Sequence, residues 1–219
     1  MRVLLLAALP EEADAFLPDT GSVIEGWPSA RRIEALGHDI IVAVTGIGKV
    51  NLTSVAATLH ARHGADLVAI TGTAGKIGAA AGDCFFLAGA LQHDYGAERP
   101  GEFVNFTPGL VPVGPSVIDA YVGLPDPGTG LPAVLIASGD AFIECPDQAR
   151  ILVEGLRADI VDMETGALAQ FATLAGVPWT GVKATTDDAN GESASDFRTN
   201  LLAASARAAR GMEVLLRQL

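Results

Sequence analysis

The chain is poor in basic residues, cysteine and aromatics, and each shortage closes off a class of function. Lys and Arg number 14 against 26 Asp and Glu, a formal net charge of −12 over 219 residues. Such acidity disfavours binding to nucleic acid or to an anionic membrane, both of which need a basic surface. Cys84 and Cys145 are the only cysteines. They allow one disulfide at most and no stapled scaffold or thiolate metal cage, so both read as free thiols. The four histidines, His38, His60, His63 and His93, are scattered without metal-ligand spacing. The first three read as surface or turn residues, and His93 as a weak site candidate. Phosphate-binding Walker spacing and a Gly-x-Ser-x-Gly nucleophile turn are both missing. Gly46-Ile47-Gly48 lacks the third glycine of a dinucleotide fingerprint, which argues against a nicotinamide cofactor. No cofactor and no metal are expected. The apolar run Val3–Leu9 is too short to span a membrane and is followed by no plausible cleavage site, so it reads as the first strand of a cytoplasmic protein.

What is abundant is Ala, Val, Leu, Ile and 25 glycines, within a sequence that is 49% hydrophobic. That composition suits a Val/Ile-rich sheet covered by Ala-rich helices. Strands are expected at 2–8, at 31–36 and 39–44 as a hairpin, and at 66–71, 83–92, 133–138, 158–161 and 179–184. Helices are expected from Pro10 to Leu17, from the Gly46–Asn51 turn to His63, over Val117–Val122, over Pro146–Leu156, after Thr165, and over 195–218. In the helix that ends at His63, Val50, Ser54, Ala57 and Ala61 share a face. In the last helix Leu201, Leu202, Ala208, Met212 and Leu215 point inward. Gly72–Lys76 reads as a glycine-rich turn and 185–191 as a polar loop. The proline- and glycine-rich stretch 95–115 reads as a long irregular loop, a lid or interface element. Its Phe103, Val104 and Phe106 are expected to be buried, over the ligand or in a subunit contact. The alternation of strands and helices predicts one α/β domain over 1–219: three layers, with a central mixed twisted sheet flanked by helices.

The segments that carry chemistry follow strand ends, where open α/β sheets bind ligands. They are Glu12, Gly72–Gly75, Met163-Glu164 and Asp187-Asp188. Glu164 stands where a strand ends and a helix begins, a position that suits a helix cap as well as a ligand-binding acid.

Six segments, in order, resemble the nucleoside phosphorylase superfamily and, within it, the 5′-methylthioadenosine/S-adenosylhomocysteine nucleosidases. They are Ala7–Glu12, Thr45–Asn51, Thr71–Gly75, Ser138–Ile143, Val161–Glu164 and Thr185–Asp187. The resemblance implies a purine nucleosidase that releases adenine, of the kind used in methionine salvage, and a homodimer whose partner subunit helps close the pocket. The implied roles fit N-glycosidic cleavage, which needs a proton for the leaving base, stabilisation of a ribosyl cation, and a nucleophile. Asp187 would protonate the base and Glu12 would activate water. Glu164 would hold the ribose hydroxyls, with Met163 under the sugar. Phe142 and the Ile143 backbone would hold the base, and Thr73 the water and ribose. Four features depart from the pattern: Pro10 replaces an acid, Lys183 stands where arginine is usual, Asp188 follows Asp187, and 92–114 differs throughout. Futalosine as substrate, a phosphorylase using phosphate, and a non-catalytic nucleoside-binding protein are the competing readings. Against phosphate stands Glu11-Glu12, whose charge repels it.

Overall fold

The structure, a computed structural model, describes residues 1–219. Its strands are β1 (Arg2–Ala7), β2 (Ser22–Ile24), β3 (Ala30–Ala35), β4 (His38–Val44), β5 (Leu67–Lys76), β6 (Cys84–Gln92), β7 (Gly96–Arg99), β8 (Glu102–Asn105), β9 (Tyr121–Val122), β10 (Ala133–Ser138), β11 (Ile160–Asp162) and β12 (Trp179–Asp187). Its helices are α1 (Pro10–Ala15), α2 (Lys49–His63), α3 (Pro146–Leu156), α4 (Thr165–Ala175) and α5 (Ser193–Gln218).

Alternation along β1 explains the layering. Leu4 and Leu6 face a core cluster that includes Leu52, Val55, Ala56 and Leu59 of α2 and Leu168 and Ala172 of α4. Val3, Leu5 and Ala7 face another, with Ala13 of α1 and Ala209, Met212, Leu215 and Leu216 of α5. Successive side chains of a strand point to opposite faces, so a strand buried on both faces must be apolar throughout, as Val3–Ala7 is. The predicted three-layer α/β architecture with a mixed sheet is therefore the one observed.

The ten-stranded sheet runs β11-β10-β6-β12-β5-β1-β4-β3-β2, with β9 on the flank of β6. β1 pairs in parallel with β4 and β5, and β12 in parallel with β5. β12 is antiparallel to β6. The sheet curls far enough for β11 to pair with the end of β5, Val161 opposite Gly75. The curl brings the ends of β1, β5, β11 and β12 around one hollow.

Several expectations are corrected. Thr71–Lys76 continues β5 instead of turning, and Thr185–Asp187 continues β12. Both extensions gain hydrogen-bonding partners in each other, Thr185 opposite Ala74 and Asp187 opposite Gly75. Residues 96–105 form the β7–β8 hairpin within the stretch read as irregular. Tyr121–Val122 pairs with β6 where a helix was expected. Residues 22–24, read as loop, form β2 against β3. The buried face of α2 is that of Leu52, Val55, Ala56 and Leu59, whereas Val50 is exposed. In α5, Leu202 is exposed. No helix is long and apolar enough to cross a membrane.

Candidate active site

A cavity of about 460 Å³ opens at the C-terminal ends of β1, β5, β11 and β12. Glu12, Thr73, Phe142, Ile143, Met163, Glu164 and Asp187 all line it, so the curl of the sheet collects the seven residues to which the resemblance assigns roles. A larger open depression, about 690 Å³, lies at the opposite sheet edge around Arg2, His38, Asp39 and Asp66. Its charges are spent internally: Arg2 Nε is 2.7 Å from Asp39, and the Arg2 backbone N–H donates to Asp66 at 2.6 Å.

Glu12 sits in the first turn of α1, 2% exposed. Its Oε2 accepts from the backbone N–H groups of Ala8 (2.9 Å) and Leu9 (3.1 Å). Its Oε1 accepts from the Thr73 backbone N–H (2.7 Å) and from Thr73 Oγ1 (2.8 Å). A carboxylate with four donors around it is fixed in one orientation. Gly72 makes room for it: a Cβ at Gly72 would stand 2.6 Å from the Glu12 carboxyl, and the residue's φ is +143°.

Glu164 occupies the N-cap position of α4, but its side chain caps nothing there. Asp162 takes that task, accepting from the Thr165 backbone N–H at 3.1 Å and from Thr165 Oγ1 at 2.5 Å. Glu164 is thereby free to turn into the cavity, where Oε1 accepts from the Gly48 backbone N–H at 2.8 Å. The glycine turn before α2 thus holds the acid of another element.

Behind Glu164 lies a buried charge cluster that no local pattern announced. Lys183, on β12, is fully buried, with Nζ 3.0 Å from Asp162 Oδ2 and 3.9 Å from Glu164 Oε2. The contact to Asp162 is an ion pair more than an aligned hydrogen bond. Asp162 also accepts from Ser138 Oγ at 2.5 Å. Burial works against the Asp162 charge, yet Lys183, Ser138 and Thr165 together hold its carboxyl below the usual range. Glu164 is less well compensated: desolvation, only partly opposed by Lys183 and reinforced by the neighbouring Asp162, pushes it up to about 7. Lys183 itself is desolvated, but the acids around it, Asp162, Glu12 and Glu164, raise its pKa and keep it charged.

Asp187 is buried at the end of β12, while Asp188 is exposed. Asp187 Oδ2 accepts from Thr186 Oγ1 at 2.8 Å and Oδ1 from the Ala189 backbone N–H at 3.0 Å. Phe142 stands half-exposed on the wall, its ring edge-on to Phe197 at 6.0 Å and 76°. Ile143 is buried beside it and Met163 is half-buried.

Ala194, Phe197 and Arg198 of α5 also line the cavity, as do Ile47 and Thr186. The sequence reading missed them. The nearest signal was the helical register of 195–218, which cannot tell which end of a helix meets a pocket. His93 is buried against Gly139, its Nε2 without a partner, but it does not reach the cavity wall, so its candidacy is withdrawn. Phe106 is buried, with the Arg99 guanidinium 5.9 Å from its ring centre. Phe103 is 42% exposed in the single chain, which leaves the subunit contact as the only place where it could be buried. Neither phenylalanine lines the cavity.

A family model described as the phosphorylase superfamily matches residues 2–217. The 5′-methylthioadenosine/S-adenosylhomocysteine nucleosidase of Mycobacterium tuberculosis is 29% identical over 210 residues, covering 83% of this chain and 81% of its own. The protein of that name from Shewanella halifaxensis is 29% identical over 225 residues, covering 94% of this chain and 97% of its own. Among solved structures, the Streptococcus pneumoniae nucleosidase with a transition-state inhibitor superposes with a TM-score of 0.83 at 22% identity, covering 99% of each chain. Futalosine hydrolase of Helicobacter pylori does so at 0.85 and 21%, covering 100% of this chain and 98% of its own.

Proposed function

The chain belongs to the phosphorylase superfamily, and from that premise we propose that it is an N-ribosyl hydrolase acting on 5′-thio-substituted adenosines such as 5′-methylthioadenosine and S-adenosylhomocysteine. The observation that carries this reading is the orientation of Glu12. A buried acid held by four donors at the end of β1 suits the activation of water and repels phosphate.

The proposed chemistry uses three carboxyl groups in three roles. Asp187 gives a proton to N7 of the purine as the C1′–N9 bond breaks and its electrons pass to the base. Thr186 Oγ1 can keep its contact with a protonated Asp187 by accepting instead of donating, since a hydroxyl does either. Glu164, ionised, accepts from the ribose hydroxyls. Glu12 takes the proton of the water whose oxygen bonds to C1′, giving free adenine and the 5-thio-ribose. Phe142 and the Ile143 backbone hold the base, Met163 lies under the sugar, and Thr73 sets the angle of Glu12. Lys183 is a positioning residue, the counter-ion that keeps Glu164 ionised.

We also infer a homodimer. Phe103, Val111, Val113 and Val117 are exposed on the segment that follows β6, and a second copy would cover them. Sedimentation at micromolar concentration tests this, and a monomer would sink it. The resemblance further supports a cytoplasmic role in methionine salvage.

The deciding assay incubates the protein with 5′-methylthioadenosine, with and without phosphate, and identifies the sugar. Free 5-methylthioribose in both arms supports the hydrolase, whereas a sugar 1-phosphate formed only with phosphate makes the protein a phosphorylase.

A further inference from the structure

Arg198 is the one basic residue on the wall of the cavity. It stands in the second turn of α5, next to Phe197, and its side chain is exposed. Its guanidinium takes part in no ion pair and no hydrogen bond within the chain. Asp196 is close in sequence but does not pair with it. The four acids of the cavity are engaged elsewhere: Glu12 by Ala8, Leu9 and Thr73, Asp162 by Lys183, Ser138 and Thr165, Glu164 by Gly48, and Asp187 by Thr186 and Ala189. An unpaired guanidinium on the wall of a ligand cavity, in a chain of net charge −12, is a binding group for an anion.

Which part of the ligand it meets follows by elimination, resting on the nucleosidase reading above. The base is accounted for by Phe142, Ile143 and Asp187, the ribose hydroxyls by Glu164, and the anomeric carbon by Glu12. A purine nucleoside then has only its 5′ substituent left. Of the lining that these roles leave unassigned, which includes Ala8, Leu9 and Ile47, only the α5 wall carries an unpaired charge: there Phe197 offers an apolar surface and Arg198 a cation. We infer that Arg198 selects nucleosides whose 5′ substituent carries a carboxylate on an apolar stem, the stem lying along Phe197 and the carboxylate meeting the guanidinium.

The test uses two isosteric substrates, 5′-S-(carboxymethyl)-5′-thioadenosine and its neutral amide, 5′-S-(carbamoylmethyl)-5′-thioadenosine. The readout is the ratio of their kcat/KM values for adenine release. The native protein should prefer the carboxylate by about tenfold to a hundredfold, the worth of a hydrogen bond between charged partners. Arg198→Gln should bring the ratio to near one, and Arg198→Lys should restore part of it. Added salt should lower the native ratio and leave that of Arg198→Gln flat. A native ratio near one, or a ratio that Arg198→Gln leaves unchanged, overturns the inference and leaves the nucleosidase reading standing. Release of adenine from 5′-methylthioadenosine but from neither of these substrates overturns the inference alone, and release from none of the three overturns the nucleosidase reading with it. Acceleration by inorganic phosphate that disappears in Arg198→Gln assigns the guanidinium to phosphate and also overturns the inference.

Discussion

Glu12 presents both oxygens to backbone N–H groups, which makes its amide isostere less innocent than its shape suggests. Glu12→Gln must turn its NH2 toward Ala8 and Leu9 or toward Thr73, and either choice sets donor against donor. Turnover should fall by about 10²–10⁴, the usual worth of a general base, and stability by about 1–3 kcal/mol for the unsatisfied pair. Steady-state kinetics and a thermal melt measure the two separately; near-normal turnover removes Glu12 from the mechanism. Asp187→Asn is the cleaner change. Its amide oxygen can accept from Ala189 while its NH2 donates to Thr186 Oγ1, so the fold keeps both contacts. The rate should drop by about 10²–10⁴ with little change in melting temperature, whereas Asp188→Asn, at an exposed position, should keep most of the activity. A dead Asp188 variant with a live Asp187 variant would reverse the assignment. At Lys183 the expected signature is in pH. The ionised form of Glu164 is the useful one, so kcat/KM should fall on the acid side of about 7. The charged groups facing Glu164 are Lys183, Asp162 and Glu12, and Lys183 is the only cation among them. Removing it in Lys183→Met should move the acid limb to higher pH, and Lys183→Arg should return it. A limb that stays in place in a folded Lys183→Met protein argues against the counter-ion role.

Among the elements, β5 shows what was legible and what was not. The strand Leu67–Ile70 is a continuous apolar run and reads as buried. Beyond it, Gly72 and Gly75 read as a turn, because glycine is commonest there. Their reason for being glycine is different. Gly72 lets the strand pass the Glu12 carboxyl, and a Cβ at Gly75 would come within 3.2 Å of both Asp187 and Val161. Glycine inside a strand often marks such a close approach, but only the neighbours, distant in sequence, distinguish it from a turn. The extensions of β5 and β12 were missed together, since each is a strand only because the other lies beside it. The site acids were legible because they sit at strand ends. The Lys183–Asp162 pair was not, because burial of a charge is a property of the assembled sheet. Gly72→Ala tests this reading of β5. The added methyl should displace Glu12, costing activity by about 10² or more, the scale of the general base it misplaces, while circular dichroism stays native. A Gly72→Ala enzyme with full activity would mean that Glu12 tolerates displacement.

At the scale of the whole molecule, two buried carboxyls push stability in opposite directions with pH. Asp162 is held below the ordinary range, so its contribution is present above the unfolded value and is lost as pH falls through the folded one. Glu164 is raised, so the folded state holds a proton that the unfolded state has released. Its contribution is full below the unfolded value near 4.5 and is lost as pH rises toward about 7. The −12 net charge adds self-repulsion on the alkaline side. Denaturant midpoints at a series of pH values should therefore peak on the acid side of 7. In Glu164→Gln the decline between about 4.5 and 7 should flatten, and a slope unchanged by that substitution would show that another group carries it.

The place of β12 between β5 and β6 has a consequence for synthesis. Both neighbours emerge from the ribosome long before it, and in the finished sheet neither pairs with the other. Until Trp179–Asp187 is made, two apolar strands wait with open edges, a template for pairing with other chains. Nascent chains halted before Trp179 should therefore engage chaperones and aggregate when released. Chains extended through Asp187 and the following helix should not, because the last strand is a keystone.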